Sequence, residues 1–425
     1  MQASQSTFKR LMDNFLSLTA LQGINTLVPL LAFPYLVRVL GIEQFGLFSF
    51  VMAIMLYAEI ITDYGFDLSA TKHISTSVDN QKKIDEIFSS VIMIKSVMAL
   101  LFFLFLLFLI TFVDKFSENA SLYVYAYGLI VGQVLFPVWF FQGIEKMRYI
   151  TILNAVSKII FAVAIFIFVN VEEDLYLVFL FYSLGSMVAG ALAFNIAVKK
   201  FGVSFSLQSK ETYLYYLKDA WYIFTSRVAV QLYQSINVIV LAFFVSNTVV
   251  GYYAIVEKIV RAGGSIIVSL PKAVYPHLAK VYKRSVSEFY MRNMQLSLAL
   301  FMVMAPIAGL VYYFAPEILS IFTGGEPSEE IVTLLHILAP LLAITVFGSQ
   351  FTNVLVILNE TKLLNNIVVI AGLVNAALVF GVIHYFSVEG LAWLNIFIIG
   401  FVIIATKAYY IFFKFRKRDL RLGKD

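Results

Sequence analysis

Three acidic residues, Glu59, Asp63 and Asp67, follow one another at intervals of four in an otherwise apolar stretch. Side chains four residues apart lie on the same face of an α-helix, so the three carboxyl groups are predicted to form one stripe. An ionisable group inside an apolar helix is costly and usually faces a water-filled cavity or a charged partner. The stripe is therefore predicted to have a function, either in pairing with basic side chains elsewhere in the molecule or in carrying a coupling proton.

Basic side chains also occur inside apolar runs. The candidates for binding an anionic ligand are Arg227, Lys258, Arg261, Lys158, Lys95 and, at the end of a run, Arg38. Arginine binds a phosphate group through two parallel hydrogen bonds, whereas lysine acts as a point charge. An alternative for Lys95, Lys158 and Arg38 is that a long side chain carries its charge out to water. Arg227, Lys258 and Arg261 lie too deep in their runs to carry their charges out to water, so they are the preferred residues for binding an anionic ligand.

The elements that position these residues must be membrane-spanning helices. The chain is 61% hydrophobic and only 13% charged, with a mean hydropathy of +0.87, which excludes a soluble globular domain. It has no cysteine, and its four histidines are scattered without the spacing of metal ligands. No cofactor and no metal site are therefore predicted.

Twelve apolar runs are long enough to cross a hydrocarbon core, which takes about 20 helical residues. They lie near residues 14–37, 44–69, 86–112, 120–143, 150–170, 175–198, 213–245, 248–276, 290–314, 330–358, 363–385 and 390–413. The connections between the runs are short and leave no room for a catalytic domain outside the membrane. Any function must therefore lie among the helices.

A weak internal repeat divides the twelve runs into halves. The polar pair Gln22 and Asn25 of the first run recurs as Gln234 and Asn237 in the seventh. Repeats of six and six helices imply two lobes that enclose a cavity. The predicted fold is an all-α polytopic membrane protein with twelve transmembrane helices in two six-helix lobes around a central cavity. The predicted divisions are an N-terminal lobe (1–199), a cytoplasmic linker (200–212) and a C-terminal lobe with a basic tail (213–425).

The distribution of lysine and arginine predicts the orientation, because cytoplasmic loops carry an excess of both. Basic residues concentrate at the two chain ends and in the loops after the even-numbered runs, whereas the opposite loops are acidic, as at Glu172–Asp174. Both termini are therefore predicted to be cytoplasmic. Membrane topology and anionic lipid account for the net charge of +5, and no nucleic-acid partner is predicted.

Several segments resemble the bacterial Wzx O-antigen flippases, which belong to the polysaccharide transporter family of the MOP flippase superfamily. The resemblance is carried by the runs at residues 29–41, 45–46 and 63–71, and by the run at 136–147 that ends the fourth apolar segment. It implies a flippase that moves undecaprenyl-diphosphate-linked O-antigen or related repeat units from the cytoplasmic to the periplasmic leaflet of the inner membrane. It also implies the O-antigen polymerase and the chain-length regulator as partners.

The resemblance gives the candidate residues specific roles. The basic residues would hold the diphosphate, and Gln22, Asn25, Gln234 and Asn237 would contact sugar hydroxyls, although such residues also join helices by hydrogen bonds. Glu59, Asp63 and Asp67 would couple transport to an ion or pair with basic residues across the lobes. Prolines at 29, 34, 271 and 276 are hinge candidates for alternating access.

Three other classes of function remain. A drug or ion antiporter of the MATE type, from the same superfamily, would be expected to have an acid-lined pocket with few basic groups, and the deep arginines and lysines argue against it. A polymerase or ligase would need a large periplasmic loop with catalytic residues, which the longest outside loop, near residues 316–330, does not carry. A channel or a structural scaffold is compatible with the composition.

Overall fold

The computed structural model describes the backbone of residues 2–422 and the side chains of residues 32–264, 274 and 278–414. Over the described backbone the chain forms helices and short connections, and it contains no β-strand. The described side chains do not include those of Gln22 and Asn25. Of the four hinge prolines, they include only Pro34.

The first half of the chain forms nine α-helices and one short 3-10 turn at Glu172–Asp174. The helices are α1 (Gln2–Asp63), α2 (Phe66–Ser75), α3 (Gln81–Phe112), α4 (Asp114–Ser117), α5 (Ala120–Leu135), α6 (Val138–Gly143), α7 (Met147–Phe168), α8 (Leu175–Phe201) and α9 (Lys210–Gln234).

The second half forms eight α-helices and a π-helix at Phe397–Ala405, which joins the last two without a break. The helices are α10 (Ile236–Phe244), α11 (Asn247–Arg284), α12 (Val286–Tyr313), α13 (Ala315–Thr323), α14 (Glu329–Leu338), α15 (Leu341–Ile357), α16 (Thr361–Ile396) and α17 (Thr406–Leu422).

Two of the long helices are interrupted where the sequence predicts a loop between spans. Gly41 in α1 has φ 74° and ψ 166°, which is not helical, and Ser387 in α16 has φ 53° and ψ −150°. At 1.5 Å per residue an unbroken α1 would be roughly 90 Å long, about three times the thickness of a hydrocarbon core. Each interruption therefore separates two helical segments, close to the predicted boundaries at 37–44 and 385–390.

The helices confirm that the protein is an all-α, multi-pass membrane protein. Among the residues with described side chains, eight helical segments are long and apolar enough to cross a membrane. The count becomes nine when α9 and α10, which meet at a bend of 46°, are taken as one span. The predicted total of twelve crossings stays a prediction.

The chain divides into two compact units, one of residues 1–44 and 48–228 and the other of residues 45–47 and 229–425. In this division most of α9, up to Val228, belongs to the first unit. The lobes and the linker at 200–212 that the sequence indicates stay predictions.

The first unit has an aromatic core. Phe88 of α3 contacts Trp139 and Phe140 of α6, with ring centroids 5.7 and 5.8 Å apart, and all three side chains are buried. Ser183 and Ser186 of α8 donate hydrogen bonds to backbone carbonyls of α5 at 2.5 and 3.2 Å. Such side-chain bonds hold membrane helices together where lipid weakens the hydrophobic drive for packing.

The described side chains of the second unit form two apolar clusters. Leu300 and Met304 of α12 pack with Leu342 and Val346 of α15 in one cluster, and the other includes Phe289, Val354 and Leu355.

Outside the apolar runs, Lys414 donates a hydrogen bond to Glu360, and this bond holds the pKa of that carboxyl below its usual range.

Candidate functional site

The predicted acidic stripe is broken between its second and third members. Tyr64 and Gly65 adopt positive φ values of 51° and 82°, so α1 ends at Asp63 and α2 begins at Phe66. A side chain at 65 would also meet Ile223, because an added Cβ would lie 2.8 Å from that residue. The prediction of one continuous helical face is therefore wrong, and the reason is this left-handed turn. Asp67 lies instead in the first turn of α2, where the helix dipole favours a negative charge.

Asp63 and Asp67 are nevertheless held together by basic residues of two other helices. Lys95 of α3 donates to one carboxylate oxygen of Asp63 at 3.1 Å, and Arg227 of α9 donates to the other at 3.2 Å. The second guanidinium nitrogen of Arg227 donates to Asp67. Four residues from four helices of one unit thus form a chain of ion pairs with two negative and two positive charges.

Burial differs sharply along this chain of ion pairs. The side chain of Lys95 is 2% exposed and that of Asp63 is 11% exposed, whereas Asp67 and Arg227 are 28% and 36% exposed. The alternative in which Lys95 reaches water is therefore wrong, because Asp63 neutralises its charge in the interior. Asp67 keeps one carboxylate oxygen that has no hydrogen-bond partner among the described residues. Arg227 is the basic group of the set that a ligand can reach.

Glu59, the first acid of the stripe, lies in a different environment. It lines a cavity of about 280 Å³ in the first unit, together with Lys158, Tyr182, Gln133 and Asn154. The ammonium group of Lys158 lies 5.8 Å from the centre of the Tyr182 ring, within the range of a cation–π contact. One acid and one base thus face the same cavity.

The second unit has its own cavity, of about 540 Å³, which includes Arg261, Glu257 and Gln234 in its lining. Arg261 pairs with Glu257 one helical turn away at 2.9 Å and donates to the backbone carbonyl of Gln234. Its side chain is 48% exposed, so the ion pair leaves the guanidinium group accessible. Tyr233 also lines this cavity, and its hydroxyl accepts a hydrogen bond from the Gln234 amide at 3.3 Å.

The remaining predicted residues lie elsewhere. The ammonium group of Lys258 lies 5.9 Å from the centre of the Phe45 ring, outside the lining of the 540 Å³ cavity. Asn237 is buried and accepts a hydrogen bond from Asn375 at 2.8 Å, so it joins helices α10 and α16 rather than facing a ligand. Arg38 is exposed, close to the interruption at Gly41. The side chains of Gln22 and Asn25 fall outside the described part of the chain.

Sequence reasoning missed Lys407 of α17. This lysine lines the 540 Å³ cavity and is only 4% exposed, and it donates to the hydroxyl of Thr352 at 2.8 Å. Its position inside the apolar run 390–413 was the available signal, since a lysine within a span marks a functional site by default. Glu257, the acid beside Arg261, was also missed, and the spacing of four residues was its signal.

Comparison with known proteins identifies the family. The model for polysaccharide biosynthesis proteins matches residues 11–282, more than half of the chain. The chain belongs to this polysaccharide biosynthesis protein family. Two relatives, both provisionally assigned as O-antigen transporters, agree with this. The protein from Escherichia coli (strain K12) is 31% identical over 89% of this chain and 91% of its own length, and that from Shigella dysenteriae is 26% identical over 93% and 99%.

Solved structures show that this polysaccharide biosynthesis protein has the fold of MOP superfamily transporters. The inward closed form of the lipid II flippase MurJ matches with a TM-score of 0.73 and 16% identity, over 95% of this chain and 87% of that one. An inward-facing MATE multidrug resistance transporter matches with a TM-score of 0.69 and 18% identity, over 94% and 99%. The family match and the two relatives confirm the family resemblance that residues 29–41, 45–46, 63–71 and 136–147 carry.

Proposed function

We propose that this protein is a flippase that moves undecaprenyl-diphosphate-linked O-antigen or related repeat units from the cytoplasmic to the periplasmic leaflet by alternating access. The family, the two relatives assigned as O-antigen transporters and the fold shared with a lipid II flippase support the proposal. The inner membrane of a bacterium is the location that this function requires.

One observation carries the assignment of the substrate as an anion. Arg227 and Arg261 lie within apolar helical runs, and each is paired with carboxylates yet partly exposed, at 36% and 48%. An arginine in this state has its charge balanced when no ligand is bound. It can exchange a carboxylate for a phosphate group, which a guanidinium group can bind through two parallel hydrogen bonds. The diphosphate of the lipid carrier supplies phosphate groups of this kind, so Arg227 with Lys158 in the first unit and Arg261 with Lys258 in the second are each candidates to bind it.

The exchange of partners gives a way for the substrate to favour one conformation. When a phosphate group takes Arg227, Asp63 keeps Lys95 but Asp67 loses its only ion pair among the described residues. The conformation in which Asp67 is hydrated or protonated then becomes more stable. The substrate favours this conformation because a ligand shifts a conformational equilibrium by the difference in its affinity for the two states. Of the three acids of the stripe, Glu59 is the one that lines a cavity, so it is the one we assign to ion coupling.

Transport can be tested with the purified protein in proteoliposomes that contain undecaprenyl-diphosphate-linked oligosaccharide. A membrane-impermeant oxidant of sugars measures how much of the glycan has crossed. Arg227→Ala and Arg261→Ala should each abolish the crossing, and lysine at either position should restore only part of it because the planar fork is lost. Full transport by both alanine variants would refute the diphosphate assignment.

The chain offers a matched control for the second arginine. Arg292 also pairs with a glutamate one turn before it, Glu288, at 2.6 Å, and its exposure of 45% is close to that of Arg261. It does not line either described cavity. Arg292→Ala should therefore transport at the normal rate, which separates the loss of a cavity arginine from the loss of an exposed ion pair.

A drug or ion antiporter is the second candidate function. The observation in its favour is Glu59, an exposed acid on a cavity of a protein that shares its fold with MATE transporters. Such an activity would appear as efflux of organic cations from proteoliposomes driven by a sodium or proton gradient. We expect no efflux, and efflux that Glu59→Gln abolishes would support the antiporter instead.

A further inference from the structure

Lys407 is a buried basic residue for which the described side chains supply no acidic partner. No ion pair joins Lys407 to a carboxylate within the part of the chain whose side chains are described, although the residue is only 4% exposed. It donates to Thr352 at 2.8 Å and weakly to the carbonyl of Gly348 at 3.5 Å. An ammonium group has three donors, so one remains for a ligand. A buried charge without a partner is costly, and an anion in the cavity would offset that cost.

A stripe of hydroxyl groups on α15 lies beside this charge, and Lys407 donates to one of them. Thr345, Ser349 and Thr352 recur at intervals of four and three, so they share one helix face, and all three line the 540 Å³ cavity. Their hydroxyl hydrogens are used within the helix, in bonds of 2.7, 2.9 and 2.8 Å to backbone carbonyls. The oxygen atoms of the stripe therefore face a ligand as hydrogen-bond acceptors.

Two further groups extend the polar lining of the cavity, which also contains the Arg261–Glu257 ion pair and Gln234. Asn395 donates from its amide nitrogen to the hydroxyl of Tyr253 at 3.2 Å, which leaves its carbonyl oxygen as another acceptor. Tyr233 adds an aromatic ring to the lining. A ligand that fits must donate several hydrogen bonds from hydroxyl groups, present an apolar face and carry one negative charge. A sugar with an acidic substituent has these three properties.

We propose that the 540 Å³ cavity is a sugar-binding subsite in which Lys407 binds an anionic substituent of the sugar, either a carboxylate or a phosphate. The volume suits a saccharide, since ligand pockets of roughly 300–1,000 Å³ are usual. This inference rests on the proposed function and narrows its substrate to acidic oligosaccharides. The diphosphate of the carrier lipid is a different ligand. Of the arginines assigned to it, Arg261 also lines this cavity, but it is paired with Glu257, so Lys407 is the basic group there without an acidic partner among the described residues.

The binding of soluble sugars to the purified protein tests this directly. D-glucuronate, D-glucose 1-phosphate and neutral D-glucose are titrated at one ionic strength and followed by saturation-transfer NMR, with inorganic pyrophosphate as a fourth probe. At least one acidic sugar should bind about tenfold or more tightly than glucose, which is the factor expected for one hydrogen bond to a charged group. The acidic sugar that shows the preference identifies the substituent.

Variants connect the preference to Lys407. Lys407→Gln should bring the acidic and neutral sugars to similar affinity, whereas Lys362→Gln, which removes an exposed lysine of the same unit, should leave the preference unchanged. Thr352→Val keeps the lysine but removes the hydroxyl that positions it, and should weaken acidic-sugar binding about threefold to tenfold. This second variant tests the subsite even when Lys407→Gln does not fold.

Two results overturn the inference. One is equal affinity for all three sugars, or a preference that survives Lys407→Gln. The other is pyrophosphate that binds through Lys407 more tightly than either acidic sugar, which makes the cavity a diphosphate site. Transport is measured separately, with neutral and acidic lipid-linked oligosaccharides in proteoliposomes. If neither crosses while the acidic sugar still binds, the proposed flippase function fails and the subsite stands.

Discussion

The ion pair between Lys95 and Asp63 should contribute strongly to stability, and a double-mutant cycle measures how strongly. The two groups lie 3.1 Å apart and are 2% and 11% exposed, so water screens them little. At an effective dielectric constant of about 20 their gross attraction is roughly 5 kcal/mol. Breaking a buried pair by removing one partner typically costs about 3–5 kcal/mol. Arg227 still neutralises Asp63 at 3.2 Å when Lys95 is removed, so we expect a coupling energy of about 3 kcal/mol.

The cycle uses Lys95→Met, Asp63→Asn and the double variant. Each is unfolded by SDS in mixed micelles and followed by circular dichroism, and the double variant should be about 3 kcal/mol more stable than the sum of the single effects predicts. Lys83 and Glu86 form a closer pair, at 2.7 Å, but are 39% and 31% exposed. Their coupling should stay below about 1 kcal/mol. Equal coupling in the two pairs would refute the argument that burial makes the difference.

Three further predictions concern the backbone, the topology and pH. Gly65→Ala should destabilise the protein by about 2 kcal/mol in the same unfolding assay, because φ is 82° and a neighbour lies 2.8 Å away, whereas Gly309→Ala, with open space around it, should not. In this cysteine-free chain, a single cysteine at exposed Ser328 should react with an impermeant maleimide in intact cells and one at Gln81 should not; the reverse pattern would invert the topology. The pKa of Glu360 is lowered, so its hydrogen bond to Lys414 stabilises the fold above about pH 4.5 and is lost as the pH falls further. On acidification this pair should cost the unaltered protein less than about 1 kcal/mol of its free energy of unfolding, and Glu360→Gln should not show that decrease.

Apolar run length was enough to predict the helical membrane fold, because a lipid interior leaves the backbone few alternatives. The sequence did not reveal the turn at Tyr64 and Gly65, since the spacing of charges is the same in a continuous helix and in a broken one. The consequence is large at the site. Asp67 begins a second helix and yet meets the same arginine as Asp63, while Glu59, which shares α1 with Asp63, lines a cavity.

The fate of each lysine could not be read from its own surroundings in the sequence. For Lys95 the sequence leaves open whether the side chain carries its charge out to water, but an acid 32 positions away holds it inside. Lys407 has a similar apolar context but no ion pair among the described side chains, and sequence reasoning missed it. Both outcomes depend on which side chain arrives from another helix, and local periodicity carries no information on that. The hydroxyl stripe of α15, by contrast, has a local signal, because the spacing of its three hydroxyl residues places them on one helix face.

The chain of ion pairs also sets an order of assembly during synthesis. Asp63, Asp67 and Lys95 emerge from the ribosome together, whereas Arg227 follows only after the next 132 positions have been made. At roughly 5–20 residues per second this delay lasts about 7–26 seconds. During that interval the partial set carries one surplus negative charge, which must keep water or take up a proton, because an unpaired buried carboxylate is too costly to persist. The insertion of α9 therefore completes the set of ion pairs, because Arg227 neutralises the surplus charge.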